Sequence, residues 1–180
     1  MMTSRAMMMK CENSGVFHID GTYKLIKNRF PVMVFEITDI AGEFHPIAYC
    51  VKSHEKEQDF VEFFSALLKL ASEMGIDFNP DYLMMDSSDA TYNAASAIFP
   101  NVTILMCYFH MMQNVLKNCR SLFKTEEGFN GFLDTIYDIH ISKSNLEYHE
   151  RLNTFKVNII FINCYPFLLL NIVLLFLGKI

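Results

Sequence analysis

The chain has 180 residues, enough for one domain with its own core. At 52% hydrophobic and 19% charged residues it is too apolar to remain disordered. Its formal net charge of −5 argues against a general electrostatic grip on nucleic acid, because non-specific DNA affinity comes from Lys and Arg on phosphates. It leaves room for a carboxylate-based site that acts on nucleic acid. Cys11, Cys50, Cys107, Cys119 and Cys164 are odd in number, contain no CxxC pair and follow no apolar leader. A disulfide framework is therefore not expected, and the cysteines suit a reducing intracellular compartment.

Residues 1–14 are Met-rich and carry no periodic signal, so an unstructured segment is expected there. Gly15 to Ile19 is a short β-rich run that ends at Asp20. Pro31 to Thr38 is a second, rich in β-branched and aromatic residues. Asp39 to Gly42 has turn chemistry, and Phe44 to Val51 is a third run, in which Pro46 predicts an edge or a bulge. These three runs predict an antiparallel meander. From Glu57 to Met74 the period changes: Phe60, Phe63, Phe64, Leu67, Leu68, Leu70 and Ala71 form the stripe of an amphipathic helix, with Gly75 as its stop. Tyr82 to Met85 is an unbroken apolar run suited to a buried parallel strand, ending at Asp86. Ser87, Ser88 and Asp89 can cap a helix from Ala90 to Ile98. Val102 to Met106 predicts another buried strand, and a helix is expected from about Phe109 to Phe123. The order is βββ-α-β-α-β-α. It predicts an α/β fold with a mixed sheet and helices on both faces.

Asp20 and Asp86 each follow directly on a predicted strand. Ligands of open α/β sheets gather beyond the carboxyl ends of strands. Two carboxylates held close there repel unless a cation lies between them, and a divalent ion with oxygen ligands suits that place. Such ions can stabilise the attacking and leaving oxygens of an in-line phosphoryl displacement. On spacing alone, however, a turn acid and a helix-cap acid account for both residues more simply.

The local sequences shift that balance. His18 to Tyr23 reads HIDGTY, Met84 to Ala94 reads MMDSSDATYNA, Ala97 to Pro100 reads AIFP, and Cys107 to Asn114 reads CYFHMMQN. This ordered set, covering about Gly15 to Lys117, resembles the catalytic core of Mutator-like element (MULE) transposases. The resemblance implies a ribonuclease-H-like fold, Mg²⁺ or Mn²⁺ as cofactor, and DNA strand cleavage followed by strand transfer. It also implies transposon-end DNA and a second transposase subunit as partners, and a nuclear location. By position, Asp20 matches the first catalytic aspartate and Asp86 the second. Asp89 falls in the same loop as a helix-start acid and, in second place, an alternative ligand. Cys107 and His110 match the family's CxxH, a motif whose role does not follow from its residues. CxxH supplies at most half of a tetrahedral zinc site, with Cys119, His140 and His149 as the remaining candidates, so packing or orientation is expected rather than Zn²⁺ binding. His18 is expected to be a satisfied core or rim histidine rather than a ligand, and Lys24 and Lys27 solvated surface residues.

The family also uses a late third carboxylate on a downstream helix. Glu126, Glu127, Glu147 and Glu150 lie in helix-like sequence but read as surface acids. The expectation is therefore a C-terminally incomplete core over 15–124 and the start of a helical insertion over 125–155. By itself the chain is expected not to transpose. Residues 156–180 form an apolar tail, within which Val157 to Gly178 carries no charge. That length reaches a membrane span, yet Asn158, Asn163, Asn171 and Pro166 are unfavourable in lipid. A transmembrane helix, a buried element and a non-native tail all remain open. The last draws on Lys156-Val157-Asn158, which can be encoded AAG-GTA-AAT, a splice-donor-like stretch. Two other functional readings stay beside the transposase: a domesticated, non-catalytic DNA- or protein-binding regulator, and a membrane-anchored protein of unrelated function.

Overall fold

The computed structural model describes residues 1–12, 15–22, 27 and 30–161, with side chains to 157. Two compact units are present, the first comprising Met1–Tyr108 and the second starting at Phe109. The first closes earlier than the expected boundary at 124.

The first unit is built on a five-stranded mixed sheet, in the order β3-β2-β1-β4-β5. Strands β1 (Val16–Thr22), β2 (Val32–Thr38) and β3 (Phe44–Val51) form the expected antiparallel meander. β4 (Tyr82–Met85) lies parallel to β1, and β5 (Thr103–Met106) parallel to β4. Pro46 meets both expectations for it: β3 is an edge strand, and the register shifts at the Pro46 position, opposite Phe35 and Glu36. Proline is tolerated there because a bulged edge does not need its missing N–H.

Two helices connect the parallel strands. Helix α2 (Glu57–Glu73) buries the predicted stripe Phe60, Phe63, Phe64, Leu67 and Ala71. It ends before Gly75, which adopts φ +72°, a left-handed conformation that glycine adopts without steric cost. Helix α3 (Asp89–Ile98) starts one residue earlier than expected, with Ser88 as N-cap accepting from the Thr91 N–H at 3.4 Å. The core joins Phe17, Ile19, Met33, Phe35, Leu83 and Met85 of the sheet to Phe60, Phe63, Phe64, Ala94 and Ala95 of the helices. Phe35 is its hub, with ring centroids 5.7 Å from Phe17, 6.5 Å from Phe63, 6.2 Å from Phe64 and 5.8 Å from Phe78. Within this unit α2 and α3 thus cover one face of the sheet. The other face, with His18, Asp20, Val34, Glu36 and Thr38, is half-buried.

The N-terminal segment differs from expectation. Residues 1–12 are not unstructured: they form α1 (Arg5–Met8) and a 3-10 turn over Met9–Glu12. Ser4 caps α1 by accepting from the Met7 N–H, and Met8 and Cys11 are buried in the core. Met2 exchanges two backbone hydrogen bonds with Tyr49 of β3, at 2.7 and 2.9 Å. Burial of two soft side chains and pairing along the β3 edge offset the cost of ordering a short helix, which local periodicity does not reveal.

The second unit contains most of α4 (Tyr108–Cys119), then α5 (Glu126–His140) and α6 (Asn145–Phe161). Aromatic side chains pack within it: Phe132 lies 5.0 Å from Phe123, 6.3 Å from Phe129 and 5.7 Å from Phe155 between ring centroids. Glu147 of α6 pairs with Arg151 at 2.6 Å and accepts from the Lys143 N–H at 2.7 Å, so it is engaged by its own helix and the turn before it. Glu126 and Glu127 occupy the first turn of α5, where carboxylates favour the helix dipole. Among the described residues no helix is long and apolar enough to cross a membrane. Most of the expected apolar tail, residues 162–180, lies outside the described residues, as do Tyr23 and Lys24.

Phe35→Ala tests the core. Removing a fully buried hub ring is expected to cost about 3–5 kcal/mol, read as a lower urea midpoint by circular dichroism. A loss under about 1 kcal/mol would mean that the aromatic cluster does not hold this unit together.

Candidate functional site

The β1–β4 pairing places the first acid beside the second. Its register sets Val16 against Tyr82, Phe17 against Leu83 and His18 against Met84. Carried forward along both strands, it brings Asp20 level with Asp86. Neighbouring strands lie about 4.8 Å apart, so the backbone positions of the two acids stand side by side. The β4–β5 register pairs Met85 with Met106, and the Cys107 N–H donates to the Met85 carbonyl at 2.8 Å. Cys107 is therefore level with Asp86 on the far side. Asp20, Asp86 and Cys107 form one row across three adjacent parallel strands: Asp86 and Cys107 directly follow β4 and β5, while Asp20, expected to follow its strand, lies within β1, which pairing with β2 extends to Thr22.

Local chemistry fixes each member of the row. Asp86 Oδ1 accepts from the Ser88 N–H at 3.0 Å, a turn closed by the acid's own side chain, which also delivers Ser88 to its capping position. Asp89 is exposed in the first turn of α3. Asp20 Oδ2 accepts from the Thr22 hydroxyl at 3.3 Å on the same face of β1. His18, on that face too, shares a 2.7 Å hydrogen bond with the Thr38 hydroxyl and packs edge-on against Phe44 at 5.1 Å. Burial holds its pKa below the usual histidine value, and the Thr38 bond satisfies its ring, as expected of a core or rim histidine. Lys27 is exposed. His110 is half-buried in the first turn of α4, where its ring meets Phe109 at 5.5 Å.

Two further carboxylates belong to this neighbourhood. Glu36, on β2, shares the half-buried face with Asp20. Burial raises its pKa first, and the charge of Asp20 raises it further. Its place follows from the alternation Val34–Glu36–Thr38, once the hairpin register is known. Glu55 lies in the loop between β3 and α2. It lines a small open cleft together with Asp86, Ser88, Thr91, Ile19 and Gly21. Nothing in the periodicity of the chain marks Glu55, because it lies outside every regular element.

A different group, Asp39, Glu43 and His45, has ligand atoms within 4.8 Å of one another at the β2–β3 turn. It sits at the opposite end of β1 from Asp20, since Thr38 pairs with Val16. Asp39 is engaged by the turn itself: Oδ1 accepts from the N–H groups of Ala41 and Glu43 at 2.9 and 3.0 Å, and Oδ2 meets His45 Nε2 at 2.9 Å. The His45 bond leads these in holding the Asp39 pKa low. Turn closure explains this group.

The family model described as "MULE transposase domain" matches residues 16–114, over half of the chain. The chain belongs to the MULE transposase family. No curated protein matches it. The MULE match runs from the first residue of β1 into α4 and so contains the whole row Asp20, Asp86 and Cys107, with His110 beyond it.

The raised pKa of Glu36 makes stability depend on pH. The folded chain holds the Glu36 proton to higher pH than the unfolded chain does. Stability therefore falls as pH rises from the unfolded value through the folded one. Glu36→Gln is expected to stabilise the protein at pH 7, in chelator-treated buffer, and to give no gain near pH 3.5, below the unfolded carboxyl pKa of about 4.3. Thermal melts at the two pH values read the difference. An equal effect at both would show that the ionised carboxylate costs nothing on this face.

Proposed function

We propose that the first unit is the ribonuclease-H-like catalytic core of a MULE-type DNA transposase, in which Asp20 and Asp86 hold Mg²⁺ or Mn²⁺ for phosphodiester cleavage and strand transfer. The observation that carries this reading is the level placement of Asp20 and Asp86 on adjacent parallel strands, inside the segment that matches the family. The donor set fits the ion. Carboxylate oxygens at the ends of neighbouring strands are hard ligands, and their mutual repulsion is relieved by a cation between them. A divalent ion held there supplies Lewis acidity for the attacking and leaving oxygens of an in-line displacement.

The chain's own residues prepare the site. The β1–β4 ladder fixes the spacing of the two acids, and the Ser88 N–H orients Asp86. Asp89, next in the same loop, is the alternative ligand. Cys107, level with Asp86 at the end of β5, packs and orients that strand end rather than binding Zn²⁺. The partners are transposon-end DNA and a second transposase subunit, and the place of action is the nucleus. The net charge of −5 leaves this chain with little electrostatic hold on phosphate, and Glu147 is engaged within α6. By itself the chain is therefore expected to bind the ion but not to complete strand transfer.

Mn²⁺ titration by calorimetry tests the reading. Binding by the wild-type chain, lost in Asp20→Asn and in Asp86→Asn while both variants keep their circular dichroism, is the expected result. No binding by a folded wild-type chain, or binding indifferent to both substitutions, overturns it. Mg²⁺-dependent strand transfer by the purified chain, lost in Asp20→Asn, would overturn the expectation of inactivity.

A further inference from the structure

We infer that Glu36 of β2 belongs to the ion site, acting on the bound ion from behind Asp20 as charge and hydrogen-bond acceptor without ligating it. The inference rests on the proposed Asp20–Asp86 metal site and adds a residue that lies outside every motif marking the family in this chain.

The sheet register carries it. Asp20 pairs with Val34 and His18 with Glu36, so Asp20 and Glu36 are diagonal neighbours on one face of the β1–β2 ladder. Diagonal positions lie about 7–8 Å apart, within reach of a long side chain. Phe35 and Ile37, on either side of Glu36, are buried in the core, so the alternation of the strand holds Glu36 on the face of Asp20. The two acids sense each other: burial raises the Glu36 pKa, and the charge of Asp20 raises it further. The ladder is also irregular at this residue. The β2–β3 register shifts between Phe35, opposite Ala48, and Glu36, opposite Pro46. Bulges of this kind re-aim side chains and recur beside active sites.

A glutamate here is costly to the sheet. Glu is disfavoured in strands, and an acid beside another acid is harder to ionise. None of the five strands contains Lys or Arg. The histidine paired with Glu36, His18, is tied to Thr38. The sheet itself thus supplies no cation to offset the repulsion between Asp20 and Glu36, whereas a divalent ion on Asp20 and Asp86 offsets it. Mg²⁺ keeps several of its waters when one or two carboxylates bind it. A carboxylate set back from Asp20 along β2 accepts from such waters and adds negative charge, which raises affinity without a direct bond. Glu36 is in this sense a positioning residue, like the partners beyond the direct ligands in other metal sites.

Mn²⁺ calorimetry and thermal melts of the full chain test the inference. Glu36→Gln should weaken Mn²⁺ binding about tenfold with unchanged circular dichroism, and Glu36→Asp should recover part of the loss. Glu73→Gln, at an exposed acid of α2, should leave binding unchanged. In chelator-treated buffer at pH 7 Glu36→Gln should melt above the wild type, yet the same Mn²⁺ concentration should raise the wild-type melting temperature more. A purely structural residue would shift both melts alike. If Asp20→Asn and Asp86→Asn abolish binding while Glu36→Gln changes it by less than about twofold, Glu36 has no part in the site and the two-aspartate reading stands. An equal loss in Glu73→Gln would make the effect one of net charge and overturn the inference. A Glu36→Gln chain that binds less and also melts below the wild type in chelator would show damage to the sheet, and overturns it too. No binding by the folded wild-type chain overturns both the inference and the reading beneath it.

Discussion

The parallel ladder between β1 and β4 is the constraint on which the site depends. A parallel pair cannot be closed by a tight turn; it needs a long crossover. Here the crossover is β2, β3 and α2, so the meander and the first helix are in place whenever Asp20 and Asp86 are neighbours. The register is set by burial. Phe17 and Ile19 on β1 and Leu83 and Met85 on β4 all face the core, and a slip of one residue would turn each of them outward. The same slip would carry Asp20 away from its half-buried face. Core packing and placement of the acids are therefore one requirement met by one set of contacts.

That arrangement has an electrostatic cost. Asp20 raises the pKa of Glu36 across the β1–β2 pair, on top of the effect of burial. Asp86 lies one strand away on the other side. Such crowding is stable only because the aromatic core beneath, centred on Phe35, stabilises the sheet independently of what happens at its edge. A cation would turn the same crowding into affinity, since each carboxylate gains what its neighbours' repulsion had cost. His18 takes no part in this balance. It is kept near neutral charge by burial and tied to Thr38, so the face carries negative charge that no adjacent imidazolium cancels.

Much of this was legible in the chain before its structure. The strand runs, the α2 stripe, the Gly75 stop and the bulge at Pro46 are local signals, set by side-chain period, backbone conformation and the missing proline N–H. The place of Asp86 directly after a strand was legible for the same reason, whereas β1 runs on through Asp20 to Thr22, because pairing with β2 extends it beyond its apolar run. Register was not legible, and everything that depends on it stayed hidden. Glu36 reads as an ordinary polar residue in an alternating strand until β2 is laid against β1. Glu55 belongs to no period at all. The order at Met1–Glu12 was missed because it comes from tertiary burial of Met8 and Cys11 and from pairing with the β3 edge. The close of the first unit at Tyr108 was missed because α4 continues the apolar pattern without a break.

The Gly21 position shows how the two levels of information join. As sequence, the glycine of HIDGTY is only part of a motif, and in a strand it is a weakness worth about a kilocalorie per mole relative to alanine. As structure, it is the one residue type that leaves room for the Glu55 carboxylate above β1. Asp20 and Gly21 point to opposite faces of the strand, so the same dipeptide supplies an acid on one side and a vacancy on the other. A side chain at position 21 would strengthen β1 and push Glu55 out of the cleft. The glycine at position 21 is thus matched by what approaches it, a loop carboxylate that no pattern in the sequence connects to Asp20.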